Sequence, residues 1–326
     1  MRVLVAGHLC LDFFPALDDI PGHEPGELYR VGPMPVRLGG AVSTTGAALR
    51  ALGVDIALAA AVGDDALAGL QRELLAQRGL DDSRMSRVAA PTSYSLVLQP
   101  PGADRTFWHH AGSNELFNGA DLDLDGIDVL HLGYPNLLPA LLADDGRPLR
   151  ELCDRAHERG ILTSVDLAVL DAGDRDHPER WEAFFATTGP AIDILTPSVD
   201  DLRSALGWTV RADPDGLAEA AQRMLDNGIA VIMVTGGTAG LHVAATGDAD
   251  RLAGLPVLPQ LAAAAGESHH IPAAEVTQIS GTTGAGDTAT AGFLAALIGG
   301  AGLVEAGVRA ATLAARHVAG QPLTDD

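Results

Sequence analysis

The stretch Gly281 to Asp287 reads G-T-T-G-A-G-D and opens directly into Thr288 to Ile298, T-A-T-A-G-F-L-A-A-L-I. Ala289, Phe293, Leu294, Leu297 and Ile298 recur at helical spacing, so the glycines form a loop that feeds a helix N-terminus. The first turn of a helix carries unpaired N–H groups and a partial positive charge. Gly284 and Gly286 let that backbone approach an anion without an intervening Cβ. The pattern predicts a phosphate cradle. Asp287 stands at its mouth, where a carboxylate repels a polyphosphate unless it has work to do. The helix end is expected to keep it ionised, ready to accept a proton from a hydroxyl that attacks a γ-phosphorus. The plain structural alternative is an Asp that caps a buried helix.

The rest of the chain sets the context for this loop. At 326 residues and 33.5 kDa, rich in Gly and poor in aromatics, it reads as one large α/β domain over 1–326. A net charge of −22 argues against nucleic acid or an anionic membrane as partner, since both need a basic surface. All 21 basic residues are Arg. Without Lys there is no Walker P-loop, no protein-kinase β3 lysine and no Schiff base, so phosphates must be held mainly by backbone, metal and Arg. Cys10 and Cys153 are too few for a disulfide framework or a zinc site. The N-terminal M-R-V-L-V-A-G-H-L-C reads as a buried strand rather than a signal peptide, and no uninterrupted apolar run reaches membrane length, so a cytosolic protein is expected.

Outward from the loop, strand patterns at Val3–Ala6, Val54–Val62, Ile127–Leu132, Ile161–Val165, Ile192–Leu195 and Ala230–Val234 alternate with helical ones. The helical patterns lie at Ala66–Gly79, Leu149–Gly160, Ala218–Gly228 and Leu303–Val318. That alternation predicts a parallel, doubly wound sheet. Asp12 is placed in the loop after the first strand, at the end where such sheets bind ligands. Gly39 and Gly40 lead into an Ala-rich helix closed by Gly53. Phe13–Arg37 is rich in Pro and Gly, with short strands expected around Tyr29, Val31, Val36 and Leu38. Thr92–Leu98, a Pro100-Pro101-Gly102 turn and Arg105–His109 predict a hairpin, on which His109 and His110 face opposite ways. Tyr94 or Phe107 is available to stack on the flat face of a ligand, and Arg105 to meet an acidic or phosphorylated one. T-G-G-T-A-G (Thr235–Gly240) precedes a strand, not a helix, so it offers no helix end to a pyrophosphate.

G-T-T-G-A-G-D-T-A-T-A-G-F resembles the C-terminal motif of the ribokinase-like (PfkB) sugar kinases, usually D-[TS]-T-G-A-G-D followed by a residue and Phe. The resemblance implies a three-layer, doubly wound, mostly parallel α/β sheet with a small β-sheet lid built from segments near 13–37 and 92–110. It implies that Gly284, Ala285 and Gly286 form an anion hole, with Asp287 as base and Thr283 beside the nucleotide. L-G-G-A-V-S-T-T resembles the N-terminal sugar motif, matched at Gly39 and Gly40, with Thr44 in place of the usual Asn. Asp12 and Asn114 fall at sugar-side positions, the latter in H-H-A-G-S-N. T-P-S-V-D-D (Thr196–Asp201) stands where the family has Asn-x-x-Glu, leaving Asp201 to act on Mg²⁺ through water. Thr235, Gly237 and Gly240 match a turn that lies beside ATP. Gly281 replaces the usual acid, which leaves a monovalent-cation site in doubt. Together the two glycine motifs, about 240 residues apart, imply an ATP- and Mg²⁺-dependent kinase of a small sugar, with a homodimer through the lid as a further expectation. The alternatives are a nucleoside kinase on the same fold, or a catalytically decayed sugar-binding or regulatory protein, motivated by Thr44, Ser198 and Gly281.

Overall fold

A computed structural model describes residues 1–19, 22, 24–101, 105–170 and 178–324. Its centre is an eight-stranded sheet made of β1 (Arg2–Gly7), β4 (Asp55–Ala59), β9 (Val129–Gly133), β10 (Leu162–Asp166), β11 (Ile194–Leu195), β12 (Val231–Thr235), β13 (Leu241–Ala245) and β14 (Ser268–Ile271). The spatial order is β14-β13-β12-β11-β10-β9-β1-β4. All neighbours pair parallel except β12 with β13 and β13 with β14, which are antiparallel.

Alternation along the buried strands sends successive side chains to opposite faces. Leu4, Leu130, Leu132, Ile232 and Val234 pack on one side with Trp181, Phe184 and Phe185. Val3, Val5, Val129, Val231 and Met233 pack on the other with Phe293, Leu294 and Leu297. The first face is covered by α3 (Pro139–His157, with non-helical backbone at 143–146), α4 (Pro178–Thr188), α5 (Val199–Leu206) and α6 (Pro214–Leu225). The second is covered by α1 (Ala41–Ala51), α2 (Ala66–Gln77), α7 (Ala249–Ala253), α8 (Ala285–Ile298) and α9 (Leu303–Val318). The doubly wound sheet expected from the alternation is found, in the three-layer, mostly parallel form that the resemblance implied.

β1 is followed through α1 by β4 on one flank, while β9 lies on the other, so the winding reverses at β1. Ligands of open parallel sheets bind in the crevice at such a reversal, beyond the carboxyl ends of the strands. Over that crevice stands a second sheet of β2 (Cys10–Phe13), β3 (Val36–Gly39), β7 (Tyr94–Leu98) and β8 (Thr106–His110), ordered β3-β2-β7-β8.

Several details differ from the sequence-based expectation. Asp12 lies within β2, not in a loop, because the chain leaves β1 through His8-Leu9 straight into the second sheet. Tyr29 and Val31 are exposed and outside any strand; among the described residues of the 13–37 segment, Phe13 at the end of β2 and Val36–Arg37 at the start of β3 are in strands. Without cross-strand neighbours, β-branched residues alone do not make a strand. The Val54–Val62 pattern is split into β4 and the short β5 (Ala61–Val62), which pairs with β6 (Ser86–Arg87). Gly102 of the expected turn lies outside the described residues. No helix among the described residues is long and apolar enough to cross a membrane.

Candidate active site

Gly284 is the N-cap of α8, at φ 87° in the left-handed region that glycine tolerates. Ala285 N–H turns back to the Thr282 carbonyl at 3.2 Å, and Thr288 N–H closes on Gly284 at 3.0 Å. The N–H groups of Gly286 and Asp287 have no acceptor among the described residues. A Cβ at Gly286 would meet only open space. The loop therefore offers unpaired donors to an anion at the N-terminus of a 14-residue helix.

Asp287 is 6% exposed, and its Oδ1 accepts from the Tyr134 hydroxyl at 2.7 Å and the Thr45 hydroxyl at 2.8 Å. Burial raises its pKa, while hydroxyls from Tyr134, Thr45 and Thr44 and the ring of His317 pull it back down. The expectation that the helix end holds this group ionised meets a larger, opposite effect, burial, which no local pattern reveals. Neither Tyr134 nor Thr45 was legible as a site residue. Tyr134 follows β9 directly at φ 60° and is 153 positions from Asp287, so no local pattern pairs them. Burial and the facing carboxylates push its phenol well above its ordinary pKa, so it remains a donor.

The glycine pair shapes the opposite wall. A Cβ on Gly39 would collide with the carboxylate of Asp12, and one on Gly40, at φ 83°, with the His8 carbonyl. Asp12 is buried, which raises its pKa, and it is close enough to Asp287 and Arg105 to feel both charges. Thr44 Oγ1 donates to the Gly40 carbonyl at 2.8 Å and lies beside Asp287. Asn114 is fully buried, and its side-chain amide donates to the Leu9 carbonyl at 3.1 Å. It thus holds the β1–β2 turn that presents Asp12.

Strand register decides which residues of the second sheet face the crevice. Asp12 pairs with Ser95, Ser95 with His109 and Val97 with Phe107, placing these on one face; Tyr94 and His110 lie on the other, where Tyr94 packs against Phe13. Phe107, not Tyr94, is the aromatic on the crevice side. His109 contacts Ser95 at 3.1 Å and His8 at 3.5 Å. Burial, then His109, lowers the His8 pKa to about 3, so that imidazole is neutral. Arg105 reaches across the crevice, donating to the Thr282 and Thr283 hydroxyls at 3.1 and 2.9 Å.

Two more carboxylates lie at strand ends nearby. Asp166, the last residue of β10, is raised well above its usual pKa by burial and by Asp287 and Asp201. Asp201 reaches about 7, chiefly through burial. Its Oδ2 accepts from Ser198 N–H and Oγ, both at 2.7 Å, while Ser198 Oγ accepts from Asp201 N–H at 3.1 Å. This reciprocal pair is a capping box at the start of α5. Asp166 was missed, although a carboxylate ending a buried parallel strand was a readable signal. Among the described residues no group of three or more His, Cys, Asp or Glu side chains is placed to hold a metal ion. Thr235 ends β12 beside Ser198, Gly237 opens the turn that follows, and Gly240 is pressed against the backbone after β14.

An anion entering this crevice would meet unpaired backbone amides and no lysine. The profile of the pfkB family carbohydrate kinases matches residues 1–324, so the chain belongs to that family and is a phosphotransferase. It is 27% identical over 263 residues to a fructokinase of Rhizobium leguminosarum bv. trifolii, covering 79% of this chain and 71% of that protein. It is 24% identical over 280 residues to a ribokinase of Haemophilus influenzae, covering 84% and 79%. The crystal structure of Thermotoga maritima ribokinase superposes with a TM-score of 0.70 at 19% identity, over 97% of this chain and 92% of that one.

Proposed function

We propose that the protein transfers the γ-phosphoryl group of ATP to a hydroxyl of a small sugar, with Asp287 as the base. The observation that carries this reading is the buried Asp287 carboxylate, set among unpaired amides and held by Tyr134 and Thr45 on the side facing Asp12. In this reading Asp12, Gly39, Gly40 and Thr44 form the acceptor pocket, with Asn114 positioning Asp12. Thr235, Gly237, Gly240 and Thr283 border the nucleotide. Amides of Gly284 to Asp287 stabilise charge on the transferred group, and raised proton affinity suits a carboxylate that must take a proton. The second sheet closes over the acceptor, which suppresses transfer to water. Arg105 leans on the anion loop, which favours a role at the phosphoryl group over recognition of an acidic acceptor.

Three mutually repelling buried carboxylates suit a hard dication, and Mg²⁺ uses few protein ligands while keeping several waters. Asp201 and Asp166 would hold it, Asp201 through water, and it would neutralise charge on the phosphates. ADP release measured across sugars, sugar acids, sugar phosphates and nucleosides tests the reading. Turnover with a sugar supports it; turnover with nucleosides alone moves the protein to the nucleoside kinases; ligand binding without any turnover defeats it.

Tyr134→Phe removes one donor from Asp287 and so raises its pKa. An ionised base then appears at higher pH: the acidic limb of kcat/KM moves upward, with roughly a tenfold loss at the foot of that limb. An unmoved limb would show that Asp287 does not govern it.

The outer face of the second sheet supports a homodimer. Leu28, Tyr29, Val31, Met34 and Trp108 are exposed there and in its connecting segment, Leu28 at 82% and Trp108 at 58%. Light scattering should report twice the chain mass for wild type and a monomer for Trp108→Glu; a monomeric wild type rejects the proposal.

A further inference from the structure

A cavity of about 230 Å³ lies outside the crevice, between α2 and the short β5–β6 pair. One face of α2 lines it with Ala68, Gln71, Arg72 and Leu75, and the strand side adds Val62 and Arg87. None of the residues assigned above to phosphoryl transfer borders it.

Gln71 does not belong in such a wall on packing grounds. It is 1% exposed, yet neither its amide oxygen nor its amide nitrogen has a hydrogen-bond partner among the described residues. Its neighbours on the buried face of α2, Ala68 and Leu75, are apolar, as that face requires. An amide buried without partners destabilises a fold, so a position governed by packing alone takes an apolar side chain. Gln is accounted for once something enters the cavity and answers both groups.

What answers them must present an acceptor to Nε2 and, beside it, a donor to Oε1. Adjacent donor and acceptor in one plane form the edge of a nucleobase, which a Gln side chain takes in a two-point contact. The rest of the wall suits such a ring. Val62, Leu75 and Met85 offer apolar surface to its faces, Met85 through a polarisable thioether. The volume is smaller than the roughly 300–1,000 Å³ of sites that enclose a whole ligand, so the ring enters and the rest of the molecule stays at the mouth.

That mouth is basic in a chain of net charge −22. Arg87 is exposed and has no carboxylate partner among the described residues; its guanidinium makes a long contact, 3.4 Å, to the Asp64 carbonyl. Arg72 is half-exposed and loosely held by Asp82, also at 3.4 Å. Two guanidiniums against one carboxylate favour an anion, and phosphate fits their planar fork.

We propose that this cavity is a second ligand site, which takes the base of a nucleoside monophosphate on Gln71 and its phosphate on Arg87 and Arg72. Binding there needs no phosphoryl transfer and stands whether or not the crevice is that of a kinase.

Methyl NMR of the full chain with labelled methionine reads the site directly, with the Met85 signal identified by its loss in Met85→Leu. Titration with AMP and with UMP, whose different rings both carry the donor–acceptor edge, should move that signal saturably for at least one of the two. Adenosine, which lacks the phosphate, and ribose 5-phosphate, which lacks the base, should each need at least about tenfold more to do the same. Gln71→Leu should abolish the response while melting no lower than wild type, since an apolar group of similar size replaces an unpaired amide. Arg87→Ala, a surface change, should raise the half-saturating concentration about tenfold. Nucleotide bound in the crevice would act on Met85 without regard to Gln71, so the first variant separates the two sites. No movement with either nucleotide, an undiminished response in Gln71→Leu, or ribose 5-phosphate acting as well as the nucleotides would overturn the proposal and leave the cavity to water.

Discussion

Asp287→Asn should lower kcat by about 10²–10⁴-fold while leaving KM for sugar and nucleotide nearly unchanged. The substitution keeps the side chain's shape, and the Asn carbonyl oxygen accepts from Tyr134 and Thr45 as the carboxylate does. What it removes is the capacity to take a proton. It also removes a buried charge, so the variant should melt no lower than wild type, which separates lost chemistry from lost fold. The check is a coupled ADP-release assay beside a thermal melt. A variant with near-wild-type kcat would place the base elsewhere, whereas a variant that fails to fold would show that Asp287 is a structural cap.

Asp201→Asn should make the protein more stable at pH 8 and less active at the same time. In the folded chain Asp201 has a pKa of about 7, against 3.8 for the free side chain. The sign follows from proton counting. Between those two values the folded state binds the extra proton, so this group's stability is complete below pH 4 and is lost as pH rises through 7. Its charged form costs about 4 kcal/mol above that range, an order-of-magnitude figure from about 1.4 kcal/mol per unit. Asn carries no such cost and its carbonyl still accepts from Ser198, less about 1 kcal/mol for a weakened cap. The difference in melting temperature between variant and wild type should therefore be large at pH 8 and small at pH 5. Taking the difference cancels acids of opposite sign, such as Asp193 and Asp65, whose pKa values are lowered. If Asp201 holds Mg²⁺ through water, the Mg²⁺ concentration needed for half-maximal rate should rise about tenfold in the same variant. Equal melting at both pH values would mean that the carboxylate is solvated; unchanged Mg²⁺ dependence would leave it only the capping role.

The parts of this site that are local in sequence were readable. G-A-G-D before an apolar run states its own geometry, because glycine at a left-handed N-cap and a carboxylate one turn in are near neighbours along the chain. Gly39-Gly40 marked the start of α1 and a sugar-side motif, though not that Asp12 and the His8 carbonyl press against these two glycines. What escaped were pairings across the molecule. Thr45 meets Asp287 over 242 positions, Arg105 reaches Thr283 over 178, and His317 bridges Thr283 and Thr288 from the final helix. Such contacts exist only once the switch point brings α1, α8, β9 and the second sheet together, and no periodicity encodes them. Burial escaped for the same reason: Asp166 and Asp201 look like ordinary polar punctuation until strands surround them. The short strands expected at Tyr29 and Val31 failed because strand formation depends on a neighbour as well as on propensity.

A crystal structure with an unhydrolysable ATP analogue and Mg²⁺ tests the central claim most directly. The account expects the terminal phosphate on the N–H groups of Gly286 and Asp287, with the Asp287 carboxylate facing a sugar hydroxyl in line with that phosphorus. A terminal phosphate bound away from α8, with Asp287 still enclosed by Tyr134 and Thr45, would contradict it.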